Sequence, residues 1–91
     1  VEVDWDPAKA ASNLAKHGIS FDKAIGYFYD DNRVEEPDQR KDYGEERWHG
    51  VAMVDGILLF VVYTRRGEGV RLISARKANR REKRAYRIRQ G

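Results

Sequence analysis

Glu46, Trp48, Tyr63, Arg65 and Arg76 are the residues whose types and spacing could do chemistry together. Asp55-Gly56 is the best short hairpin signal in the chain, because a type I′ turn needs positive φ at both central positions. With Val54 opposite Ile57, Glu46 lies opposite Arg65 and Trp48 opposite Tyr63. A two- or four-residue turn around Gly67-Glu68 then sets Tyr63 beside Leu72, Val61 beside Ser74 and Leu59 beside Arg76. Side chains alternate along a strand, so Glu46, Trp48, Tyr63, Arg65, Ser74 and Arg76 are expected on one sheet face. Val51, Met53, Leu58, Phe60, Val62, Ile73 and Ala75 fall on the other, the expected core. A carboxylate, guanidiniums and aromatic rings behind one dry face make a floor for a polar ligand. A solvated face with an ordinary cross-strand ion pair, contributing about 0.2–1 kcal/mol, would carry the same residues. A three-residue turn at Gly67 would slip the last strand by one and move Arg76 to the other face.

Charge points to the same end of the chain. Residues 76–91 hold eight of the eighteen Lys and Arg residues against one acid, Glu82, for a net +7. Residues 1–75 sum to −4. A basic pole on an acidic body suits a polyanion, most often nucleic acid. At 91 residues the chain is expected to form a single domain, 1–91. The longest apolar run, Ile57–Tyr63, fits a strand and falls far short of the ~20 residues of a membrane span. No signal-peptide pattern opens the sequence, and the absence of Cys excludes disulfides and thiol chemistry, so a cytoplasmic protein is expected. With His17 and His49 as its only histidines, the chain is expected to hold no structural zinc and no cofactor.

These residues need elements to position them. Val1–Trp5 alternates apolar and acidic residues and reads as a short strand. Asp6-Pro7 starts a helix with an apolar stripe at Ala8, Ala11, Leu14 and Ala15, and Gly18 ends it. Ser20 caps a second helix with Phe21, Ala24, Ile25 and Phe28 at helical spacing, completing a helical hairpin. Tyr29 to Glu45 reads as a long polar loop, with room for a short edge strand near Arg33–Glu36. Strands follow at about 46–54, 57–65 and 70–76, and Lys77 or Asn79 leads into a basic C-terminal helix. The expected fold class is α+β, with a three- to four-stranded antiparallel sheet.

Asp-Pro-Ala-Lys at 6–9, Asn13, Lys16-His17-Gly18 and Ser20-Phe21 together resemble the opening of the BrnT-type toxins. Gly44-Glu45-Glu46-Arg47-Trp48, Val62-Tyr63-Thr64-Arg65, Ile73-Ser74-Ala75-Arg76 and Arg80-Arg81-Glu82 continue the resemblance over nearly the whole chain. It implies a type II toxin with a fold similar to the RelE-like ribonucleases, which cleaves RNA and arrests translation. It also implies a ribbon-helix-helix antitoxin, repression of the shared operon, and a toxin dimer within the complex.

Under that resemblance, metal-independent RNA cleavage needs a base for the 2′-OH, an acid for the 5′-oxygen and cations for the extra phosphate charge. Arg65, Arg76 and Arg80 are expected at the scissile phosphate, since a planar guanidinium binds two oxygens at once. Glu46 is the candidate base, although a neighbouring Arg65 would depress its pKa and leave it the role of orienting that arginine. Trp48 and Tyr63 are candidate base-stacking residues, and Lys77, Arg81 and Arg84 candidate backbone contacts. Both aromatics are equally suited to partial core. His17 suits a helix C-terminus as a capping cation, and His49 falls on the core-side face, which argues against catalysis by either. Asn13 and Lys16 suit an anchoring role. The last helix has a thin apolar side at Ala78, Ala85 and Ile88, and its crowded cations imply an acidic neighbour. A non-catalytic nucleic-acid-binding module using this basic helix is the alternative function.

Overall fold

The computed structural model describes residues 1–38 and 46–90. Five strands form one sheet in the order β1-β5-β4-β3-β2, with β1 Val3–Asp4, β2 Val34–Pro37, β3 Arg47–Val54, β4 Ile57–Arg66 and β5 Gly69–Lys77. Three helices complete the α+β fold: α1 Pro7–His17, α2 Phe21–Ala24, which runs on as a 3₁₀ turn over Ile25–Tyr29, and α3 Arg80–Gln90. The expected antiparallel sheet of three to four strands is therefore corrected to a mixed sheet of five. Both short candidates pair, and β1 runs parallel to β5, with Val3 beside Val70. That pairing joins segments nearly seventy residues apart, which no local signal announces.

The α1 ends behave as their residues dictate. The Asp6 carboxylate accepts from the Ala8 N–H at 3.0 Å, and Gly18, at φ 72°, donates its N–H to the Leu14 carbonyl at 2.9 Å. The side turned inward is not the expected stripe. Ala8, Ala11, Leu14 and Ala15 are exposed, and Ala10 and Asn13 face the sheet instead. Asn13 decides this rotation. Its Nδ2 donates to the carbonyls of Ile19 (2.9 Å) and Ala75 (2.8 Å), and its Oδ1 accepts from the Ala75 N–H (3.0 Å). One buried amide thus pairs with β5 much as a neighbouring strand would.

The β3–β4 hairpin has the expected register, Val54 with Ile57 and Trp48 with Tyr63, and Asp55 and Gly56 adopt positive φ. β4 and β5 also pair as expected near their turn, Tyr63 with Leu72 and Arg65 with Val70. A β-bulge between Val62 and Tyr63 then absorbs Ile73, so Val61 faces Ala75 and Phe60 faces Arg76. Beyond the bulge every β5 side chain is flipped relative to expectation, Arg76 included.

Both sheet faces are covered, not one. On the helical-hairpin side, Ile19, Phe21, Ala24 and Tyr27 pack on Ala52, Val54, Leu59, Val61, Tyr63, Leu72 and Ala75. On the other, α3 lays Tyr86 onto Val51, Leu58, Phe60 and Val62 with Ala78. Met53, expected in the core, is 42% exposed at the hairpin end. The α3 start is a capping box: Asn79 Oδ1 accepts from the Glu82 N–H and Glu82 Oε1 from the Asn79 N–H, both at 2.9 Å. Its far end is fastened by Tyr86 Oη donating to Asp30 Oδ2 (2.7 Å) and Gln90 Nε2 donating to the Asn32 carbonyl (2.9 Å).

Candidate functional site

The sheet divides the residues expected to act together. Arg65, Trp48 and Tyr63 project on the helical-hairpin side, whereas Arg76, paired with Phe60, projects on the α3 side. Arg65 lies five residues along β4 from Phe60, about 16 Å at the usual strand rise. Arg65 and Arg76 therefore cannot hold one phosphate, and the bulge at Ile73 is the reason.

On the helical-hairpin side the organising group is Glu35 of β2, which sequence reasoning missed because nothing in the candidate edge strand near Arg33–Glu36 marks which of its acids turns inward. Its Oε1 accepts from Tyr63 Oη (2.7 Å), Arg33 Nε (2.8 Å) and Tyr27 Oη (3.1 Å), and its Oε2 lies 3.3 Å from Arg65 Nη2. Partial burial pushes this carboxyl up, but the hydrogen bonds from Tyr63, Arg33 and Tyr27 and the charge of Arg33 outweigh it and hold it below the usual range. Burial and the same carboxylate push the Tyr63 phenol up to about 12, and burial drives Tyr27 higher still. Tyr63 is 2% exposed and packs edge-on against Phe28 and Tyr27, so it is a core residue and not a base-stacking platform. Gly50 makes the cluster possible, since a Cβ there would collide with the Tyr27 hydroxyl and the Val34 carbonyl. The Arg65 guanidinium lies 4.3 Å over the Trp48 ring, and Trp48 Nε1 donates to Glu46 at 2.6 Å. The expected Glu46–Arg65 pair is thus corrected: Glu35 reaches Arg65, and exposed Glu46, just before β3, holds Trp48. Glu35, held ionised, and Tyr27 and Tyr63, held protonated, are therefore poorly suited to exchanging protons near neutral pH.

The α3 side differs in chemistry. The Arg76 guanidinium lies 4.3 Å over Phe60, grips Glu82 through two 2.8 Å bonds and donates to the Lys77 carbonyl at 3.2 Å. Burial pushes the Glu82 carboxyl up, but Arg76, the Asn79 N–H and the nearby His49 hold it below its usual range. The His49 ring stacks at a tilt on the same Phe60, 5.3 Å between centroids, with Nε2 3.6 Å from Glu36. By register, Arg47, Thr64 and Arg71 form the next polar row beyond His49, Val62 and Ser74. Thr64 Oγ1 is buried with no hydrogen-bond partner among the described residues. His49 and Arg76 are only partly covered, their side chains 18% and 33% exposed. Arg80 opens α3 and is exposed, as are Lys77, Arg81 and Arg84.

His49 is the second residue that sequence reasoning set aside. Its position follows from the hairpin register, but the sequence makes this the core face, and α3 in fact leaves the ring partly exposed. His17 and Lys16 line a shallow cleft with Asn13 and Ser74 at the end of α1, on neither cluster. Gly44 and Glu45, part of the sequence resemblance, lie outside the described residues. Among the described residues no group of three or more His, Asp or Glu side chains is arranged to hold a metal ion, and no helix is long and apolar enough to cross a membrane.

No curated protein matches the sequence. A family model described as "Ribonuclease toxin, BrnT, of type II toxin-antitoxin system" matches residues 5–82, from the residue before the α1 cap to Glu82 in the first turn of α3. The match takes in the helical hairpin, all the strands after β1 and both side-chain clusters. The chain therefore belongs to the BrnT family, the RNA-cleaving toxins of type II toxin–antitoxin systems, and has RNA as substrate and a cognate antitoxin as partner.

Proposed function

We propose that this toxin cleaves RNA without a metal ion on the α3 side of the sheet, with His49 and Arg76 at the reacting phosphate. The observation that carries this is their shared seat: both flank the Phe60 ring on one partly exposed face. Imidazole is the side chain suited to accepting and returning a proton near neutral pH. His49 takes the proton of the ribose 2′-OH, the 2′-oxygen attacks phosphorus as the bond from phosphorus to the 5′-oxygen breaks, and the leaving 5′-oxygen takes a proton from solvent. The products are a 2′,3′-cyclic phosphate and a 5′-OH end. Arg76, with Nε and one Nη2 proton not used by Glu82 or Lys77, binds the phosphate oxygens as charge builds on them. Glu82 orients Arg76 and Glu36 orients His49. Arg80 adds positive charge from the α3 start, while Lys77, Arg81 and Arg84 track the backbone. Glu46, Trp48 and Arg65, on the other face, bind a flanking stretch of RNA and do not react with it.

The sequence resemblance supports the wider setting. In this reading the fold is RelE-like, cleavage arrests translation in the cytoplasm, and a ribbon-helix-helix antitoxin neutralises a toxin dimer. The test is incubation of the purified protein with RNA in EDTA, followed by mapping of the ends. Cleavage with 5′-OH ends is expected, slowed about 10²–10⁴-fold in His49→Ala and at least as far in Arg76→Ala. RNA left intact in EDTA, or a His49→Ala variant as fast as wild type, would overturn the assignment.

A further inference from the structure

Met53, Ile57, Leu58, Lys77, Lys83 and Arg87 line a groove of about 320 Å³ between α3 and the tip of the β3–β4 hairpin. Its floor is apolar. Met53 is 42% exposed, Ile57 is half-buried, and Leu58 lies beneath them. Its rim is cationic, with Lys83 and Arg87 four residues apart on one side of α3 and Lys77 at the end of β5. Among the described residues no carboxylate pairs with any of the three. Glu82, the acid of α3, is taken up by Arg76 and the Asn79 N–H.

We infer that this groove docks an acidic amphipathic segment of the cognate antitoxin. The inference rests on family membership, which brings the antitoxin, and not on the residues assigned to cleavage. Like charges at i,i+4 destabilise a helix, so carboxylates placed between Lys83 and Arg87 stabilise α3 as they bind. RNA phosphates would satisfy the cations but not the floor. No aromatic side chain lines the groove to stack a base. Covering Met53 and Ile57 calls for aliphatic side chains, which a segment with acids on one side and apolar anchors on the other supplies. Lys77 directly follows Arg76, so a chain leaving the groove along β5 runs onto the cleavage face. An anchor here needs no contact with His49.

The experiment uses the full-length toxin and its cognate antitoxin, recovered by co-purification and separated by denaturation and refolding. Antitoxin affinity is measured by calorimetry, and RNA cleavage is followed with the free toxin. Lys83→Glu/Arg87→Glu is expected to weaken antitoxin binding by roughly tenfold or more, with cleavage within about twofold of wild type. Met53→Asp is expected to weaken antitoxin binding in the same way, and Lys83→Ala/Arg87→Ala serves if charge reversal disturbs α3 on melting. Unchanged antitoxin affinity in both the cationic and the Met53 variants would overturn the inference. So would cleavage falling in parallel with antitoxin affinity, since the groove would then belong to RNA.

Discussion

Glu35 carries more hydrogen bonds than any residue the sequence singled out, and its removal has a defined cost. In Glu35→Leu the Tyr27 and Tyr63 hydroxyls and the Arg33 Nε lose their carboxylate acceptor at once, while Arg33 Nη1 keeps the Asp30 carbonyl. The variant should lose about 2–4 kcal/mol in urea unfolding, since each buried donor left unpaired costs about 1–3 kcal/mol and part of this side chain reaches water. Acid should reveal the same residue. Glu35, Asp30 and Glu82 are all held below their usual pKa by their donors. A carboxylate depressed in the folded state contributes stability above its unfolded value, about 4, and loses it as pH falls through the folded value. Urea midpoints should therefore fall as the pH drops below about 4, less steeply in Glu35→Gln. Glu82 is worth a separate measurement because it caps α3 and grips Arg76 together. Glu82→Ala should cost about 1–3 kcal/mol and slow cleavage, whereas Arg76→Lys should keep most of the stability and lose most of the rate.

At the scale of elements, Asn13 ties α1 to β5 through two bonds to Ala75 and one to Ile19. Asn13→Leu should cost about 3 kcal/mol. That is a drop of roughly 12–24 °C in melting temperature at about 4–8 °C per kcal/mol for a domain of this size. Gly50→Ala should be at least as damaging, because the added methyl meets backbone at Val34 as well as the Tyr27 hydroxyl. The helix starts at Asp6-Pro7 and Ser20, the Asp55-Gly56 turn and the β3–β4 register were all legible, because capping and turn geometry are local. What escaped was non-local. The Ile73 bulge has no residue signature and alone put Arg76 on the wrong face. The rotation of α1 hid in Asn13, a polar residue that counts against burial until its partner strand is present. Of the candidate site, the arginines were legible as residue types, but their grouping depended on a register that one extra residue changed. Deleting Ile73 should restore the uninterrupted ladder, turn Arg76 toward the helical hairpin, and abolish cleavage if the shortened strand still folds.

Across the whole molecule, the basic pole and the face proposed for cleavage are joined but not identical. α3 spreads its cations around its circumference, so Arg81 and Arg84 face solvent while Lys83 and Arg87 border the hairpin groove. RNA affinity should fall with salt, with each single-strand phosphate contact contributing about 0.7 log unit per tenfold salt. Arg84→Ala should reduce that slope by about one contact without changing where RNA is cut. The pole also depends on where it is hung. α3 follows β5 after only Ala78 and Asn79, and β5 is held between β4 and the parallel strand β1. Val3 must find Val70 for that arrangement to close. Contacts so distant along the chain close late in folding and slow it. A nascent chain still on the ribosome therefore lacks the face proposed for cleavage until β5 and α3 have both emerged. On the proposed assignment, then, the chain acquires its cutting surface only when its last elements dock.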